Sequence, residues 1–142
     1  AIKKLDKNIE TYQRACPLFV PLVEEGQGWW ENDITLRIAQ QYLTPLKQTG
    51  VDTLVLGCTH YPLLYETICK VMGEDVKLVS SALEVARVVK RVIIDNNIQR
   101  DVRCQPEYRY YTSDSVEKFE PLYSTILGWQ VKSAQKVDIE KY

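Results

Sequence analysis

Cys58, Thr59 and His60 stand together in the run Thr53-Leu54-Val55-Leu56-Gly57-Cys58-Thr59-His60-Tyr61-Pro62, and His60 is the chain's single histidine. A thiol becomes a nucleophile or base as its thiolate, which nearby positive charge and helix N-termini favour. An imidazole exchanges protons near neutral pH. The apolar residues before Cys58 read as a buried strand, and Pro62 suits the first position of a helix. The unpaired N–H groups of that helix start are expected to face the turn and favour a thiolate. Two residues apart on a tight turn, Cys58 and His60 are expected to face one cleft. Gly57 lets the backbone approach a ligand closely, and the Thr59 hydroxyl with local N–H groups could hold a carboxylate. This pattern points to an enzyme with an acid–base cysteine. Plainer readings stay open: Cys58 as a small buried filler and His60 as an ordinary helix-start histidine. Zinc fits poorly, because Cys-x-His supplies two ligands and a structural site needs four. No metal and no cofactor are assigned.

The elements that must position this turn follow from the patterns on either side. Ile2, Leu5, Ile9 and Tyr12 recur on one helical face, without a preceding cap or an initiator Met. This predicts a helix through about Tyr12 that was trimmed, processed or cut within its length. Residues 16–23 read as an extended apolar run whose Pro21 belongs at an edge or bulge. Glu24 and Glu25 follow it. If that run neighbours the Cys58 strand, one of these carboxylates reaches the same cleft, to orient His60 or hold a substrate ammonium; otherwise they form a solvated acidic loop. Trp29 and Trp30 are expected to pack that loop down. Asp33 is expected to cap a helix with an apolar stripe at Leu36, Ala39, Leu43 and Leu46, kinked by Pro45 and ended by Gly50. A continuous apolar strand at 51–56 suits a parallel sheet covered on both faces. The helix after Pro62 ends at Gly73, and a strand at 76–79 follows. Ser81 and Glu84 resemble a capping box before a helix carrying Val85, Val88, Val89, Val92 and Ile93.

This strand–helix alternation predicts an α/β fold with a parallel, Rossmann-like sheet, in which ligands bind beyond the carboxyl ends of the strands. Residues 100–107 read as a linker, 108–112 as a strand, and 129–139 as a final strand or a docked tail. Between them lies a helix capped by Asp114 and Glu117. Eighteen Lys and Arg face nineteen Asp and Glu, a net charge of −1. Such a balance gives no reason to expect a nucleic acid or acidic membrane as partner. No stretch is long and apolar enough to span a bilayer. With no signal-peptide pattern at the start, a cytoplasmic location is expected by default. The four cysteines, Cys16, Cys58, Cys69 and Cys104, form no CxxC pair, and a disulfide-built fold is not expected.

The runs Ala15-Cys16-Pro17-Leu18-Phe19-Val20-Pro21-Leu22-Val23-Glu24 and Asp52 through Leu64 resemble the glutamate racemase family, within the aspartate/glutamate racemases. Val79-Ser80-Ser81, and the stretch from Tyr111-Thr112-Ser113 to Leu127-Gly128, match more weakly. The Gly-Cys-Thr-His-Tyr-Pro-Leu-Leu string carries the resemblance best. It implies two similar α/β lobes enclosing the site, and a cofactor-independent racemisation that makes D-glutamate for peptidoglycan, and hence for cell-wall biogenesis and cell shape. By resemblance Cys58 deprotonates L-glutamate, His60 is its acid–base helper, Glu24 supports this side of the site and Thr59 binds substrate carboxylate. Ser80 stands where many members have Asp. The opening lobe with the opposed thiol has no counterpart here, and Cys16, Cys69 and Cys104 lack its context. The resemblance therefore implies a second, C-terminal lobe at 1–80, incomplete at its N-terminus. It implies a segment at 81–142 that crosses back to the absent first lobe and exposes apolar area without it. Partners implied are glutamate, the missing N-terminal lobe and, as often in the family, a second copy in a homodimer. The fragment alone is expected to be inactive. A non-catalytic racemase-fold binding module, a relative acting on aspartate, and another cysteine enzyme are the alternatives.

Overall fold

The computed structural model describes residues 2–101 and 103–141; Val102, within the expected linker, lies outside them. The chain divides into two compact units, Ala1–Ser81 and Ala82–Tyr142.

The first unit opens with a short helix α1 (Ile2–Leu5) rather than one reaching Tyr12. The Asp6 carboxylate accepts from the Asn8 N–H at 2.8 Å, and this local alternative to helical bonding stops the helix. The run expected to be extended is instead a helical turn, α2 (Phe19–Glu24). Pro21 is its third residue, where a helix N–H has no partner within the helix, so the ring costs nothing there. Phe19, Leu22 and Val23 turn one face inward and are buried.

Helix α3 (Asp33–Lys47) runs on past Pro45. Asn32, not Asp33, caps it, accepting from the Thr35 N–H at 2.9 Å. Strand β1 (Thr53–Leu56), helix α4 (Tyr65–Met72) and strand β2 (Lys77–Ser80) follow. β1 and β2 pair in parallel, from Thr53 opposite Lys77 to Leu56 opposite Ser80. Helix α4 connects them, and α3 packs against α4. The core gathers Cys16, Phe19, Val23, Ala39, Leu43, Leu56, Leu64, Ile68, Val71 and Met72. Among the described residues strand β1 has β2 as its one hydrogen-bonded neighbour. It is not covered on both faces as expected: Leu56 is buried while Val55 is 54% exposed. A groove of about 990 Å³ lies against this strand, lined by residues of the 8–14 and 49–57 stretches.

In the second unit helix α5 (Ser81–Asp95) has no buried residue. Strands β3 (Tyr111–Thr112) and β4 (Gln135–Lys136) form a two-residue parallel pair, shorter than the strands expected at 108–112 and 129–139. Between them lies α6 (Val116–Leu127), capped by Ser115 rather than Asp114, with the Ser115 hydroxyl accepting from the Lys118 N–H at 3.3 Å. Glu117 serves that cap by accepting from the Ser115 hydroxyl at 2.6 Å. Among the described residues no helix is long and apolar enough to cross a membrane.

Candidate active site

The turn after β1 carries Gly57, Cys58, Thr59 and His60, and leads into a 3-10 turn, Tyr61–Leu64. The α-helix expected at Pro62 begins only at Tyr65. Two N–H groups of this stretch are spent within the turn: Tyr61 N–H donates to the Cys58 carbonyl at 3.3 Å and Leu63 N–H to the His60 carbonyl at 3.0 Å. Tightened 3-10 geometry at a helix start is common. Cys58 Sγ lies 3.9 Å from His60 Nδ1. Gly57 faces open space, since a Cβ there would meet nothing within 4 Å.

The other ring nitrogen, His60 Nε2, lies 3.3 Å from Glu24 Oε1. Glu24 ends α2, which packs against the 3-10 turn. The three side chains thus form a line, thiol to imidazole to carboxylate. A carboxylate accepts hydrogen bonds and cannot donate them, so it holds the ring proton on Nε2 and leaves Nδ1 as an acceptor facing the sulfur. Transfer of the thiol proton to Nδ1 gives a thiolate beside an imidazolium whose charge Glu24 offsets. His60 and Glu24 side chains are 29% and 55% exposed, so solvent and substrate can reach the line, and salt will weaken the carboxylate's effect. Thr59 is exposed, with Oγ1 3.4 Å from His60 Nδ1. Glu25 takes no part in this line, and its N–H closes the helix on the Pro21 carbonyl at 3.1 Å.

Three supports were not read from the sequence. Trp30 Nε1 donates to the Val23 carbonyl at 3.0 Å, and the buried Thr67 hydroxyl donates to the Trp30 carbonyl at 2.6 Å. Together they hold the end of α2 that presents Glu24. The hydroxyl of Tyr61 donates to the Cys16 carbonyl at 3.3 Å. Cys16 itself is 4% exposed, and burial pushes its thiol up from the ordinary range. Among the described residues no group of three or more His, Cys, Asp or Glu is placed to hold a metal ion.

No family model matches the chain, but whole-chain comparisons do. It is 43% identical over 140 residues to the glutamate racemase of Geobacter metallireducens, covering 99% of this chain and 51% of that protein. It is 41% identical over 142 residues to that of Thermoanaerobacter pseudethanolicus, with 99% and 52% covered. Among solved structures, glutamate racemase from Francisella tularensis in complex with D-glutamate superposes with a TM-score of 0.84 at 32% identity, over 99% of this chain and 52% of that one. The RacE1 isoform from Bacillus anthracis gives 0.83 at 36% identity, over 97% and 50%. The fold is thus a parallel-sheet, Rossmann-like α/β lobe of the two-lobe racemase kind. The chain is similar over nearly its whole length to glutamate racemases, and it spans about half the length of the curated relatives it matches.

Proposed function

We propose that this chain supplies one acid–base side of a cofactor-independent, two-base glutamate racemase serving peptidoglycan synthesis. The observation that carries the reading is the Cys58–His60–Glu24 line, at 3.9 and 3.3 Å, in a chain similar to glutamate racemases. Cys58, as the thiolate, takes the α-proton from L-glutamate. The electron pair left at Cα spreads into the substrate carboxylate, where the Thr59 hydroxyl can donate. A proton from an acid on the opposite face then completes D-glutamate. Cys58 keeps the abstracted proton, which returns through His60 to solvent. Inversion needs opposed acid and base, and Cys16, sealed in the core, does not fit the second role. The racemase of Francisella tularensis, solved with D-glutamate, supports glutamate as the substrate.

The test joins this chain to the half of the Geobacter metallireducens racemase that it does not cover. The chimera is expected to convert L-glutamate to D-glutamate and to leave L-aspartate largely unchanged, followed by circular dichroism. His60→Asn is expected to lower turnover by about 10²-fold, the lower end of the span of acid–base catalysis. The 142-residue chain alone is expected to give no racemisation. Turnover by that chain at the chimera's rate would overturn the proposal.

A further inference from the structure

We infer that Tyr61 is a positioning residue for the Cys58–His60 pair, fixing the turn that carries both against the helix that carries Glu24. The inference rests on the reading of that pair as the working acid–base couple.

Glu24 and His60 are far apart in sequence, so the line exists only if α2 and the Cys58 turn keep a fixed relation. Among the described residues two polar ties join the turn to α2 and the residues leading into it. One is the His60–Glu24 contact itself, at the end of α2. The other is the Tyr61 hydroxyl on the carbonyl of Cys16, in the turn that leads into α2. Tyr61 directly follows His60, so its placement sets the backbone from which the imidazole projects. Its ring meets the buried Phe19 edge-on, with centroids 5.4 Å apart and planes at 88°. Phe19 meets Tyr42 in the same manner, at 5.5 Å and 76°. The ring therefore has a rigid seat, and the hydroxyl sets how deeply the turn sits in it. Burial and the neighbouring Cys16 and Cys58 thiols push the Tyr61 phenol up, so it stays a donor across the neutral range.

Phenylalanine keeps the ring and removes the tie. The test uses the 142-residue chain and iodoacetamide, with the rate at Cys58 followed by peptide mass from pH 6 to 9. Four proteins are compared: the parent, Tyr61→Phe, His60→Asn and the double variant. Urea midpoints for each keep changes of fold in view. Phe19→Leu, which disturbs the same packing and spares the hydroxyl, serves as the packing control. Expected is a fall of about threefold or more at neutral pH in Tyr61→Phe, with a pH profile altered in the same sense as in His60→Asn. Little further fall is expected in the double variant, since coupled residues are non-additive. An unchanged profile in Tyr61→Phe beside a changed one in His60→Asn would overturn the positioning role and leave the pair standing. An equal fall with and without His60, or an equal change of profile in Phe19→Leu, would reduce Tyr61 to packing and overturn the role. No effect of His60→Asn would overturn the pair and the inference together.

Discussion

Ala1–Ser81 and Ala82–Tyr142 differ in what they bury. Every buried apolar residue described except Val131 lies in the first unit. There, two strands, α2, α3 and α4 enclose a continuous core. In the second unit α5 leaves Val85, Val88, Val89 and Val92 between 49% and 61% exposed. Both units have amphipathic helices, yet the valines of α5 stay far more exposed than the core residues of α2, α3 and α4. An apolar stripe in sequence states what a helix requires. Whether the requirement is met depends on neighbours that the same stretch must supply. The candidate site sits in the unit that meets it, where packing can hold three side chains in line.

The sharpest way to break this contrast is truncation in each unit. Phe19→Ala is expected to cost about 3–5 kcal/mol in urea unfolding, because it opens a cavity in a filled core. Val88→Ala on α5 is expected to stay within about 0.5 kcal/mol, as for exposed positions generally. Equal effects would erase the distinction between the units. A smaller but chemical contrast lies in the cysteines. Cys16 is expected to lag behind the exposed Cys104 by on the order of tenfold in alkylation, since burial limits access and disfavours its thiolate. Peptide mass mapping separates the two.

The same burial has a signed pH effect. Cys16 and Tyr61 hold their protons more tightly folded than at their ordinary 9.0 and 10.0. The unfolded chain therefore ionises first, and their contribution to stability, complete below pH 9, is lost as pH rises through the folded values. Urea midpoints should fall from about pH 9 upward, and less steeply in Cys16→Ala. At the caps the expected effect is modest: Asn32→Ala should cost about 1 kcal/mol.

The sequence was most legible where one residue's chemistry decides the outcome. Cys58, His60 and the strand before them were placed by their own run, and β1 and β2 pair in parallel as the alternation of elements implied. The 16–23 stretch misled because valines and two prolines favour extended backbone locally. Yet Phe19, Leu22 and Val23 also have helical spacing, and tertiary burial selected that option. That error still left Glu24 at an element's end beside the site. The ties from Tyr61, Trp30 and Thr67 were not legible. Each joins a side chain to a distant carbonyl, and no local pattern announces such a partner. The cap at Asn32 lay one residue from the one expected, because Asn and Asp serve equally there.

The account stands most directly on Cys58. In deuterium oxide, the chimera described above should form D-glutamate carrying deuterium at Cα, and Cys58→Ala should slow that formation by about 10²- to 10⁴-fold, the span of acid–base catalysis. Deuterated D-glutamate formed by Cys58→Ala at the parental rate would contradict it.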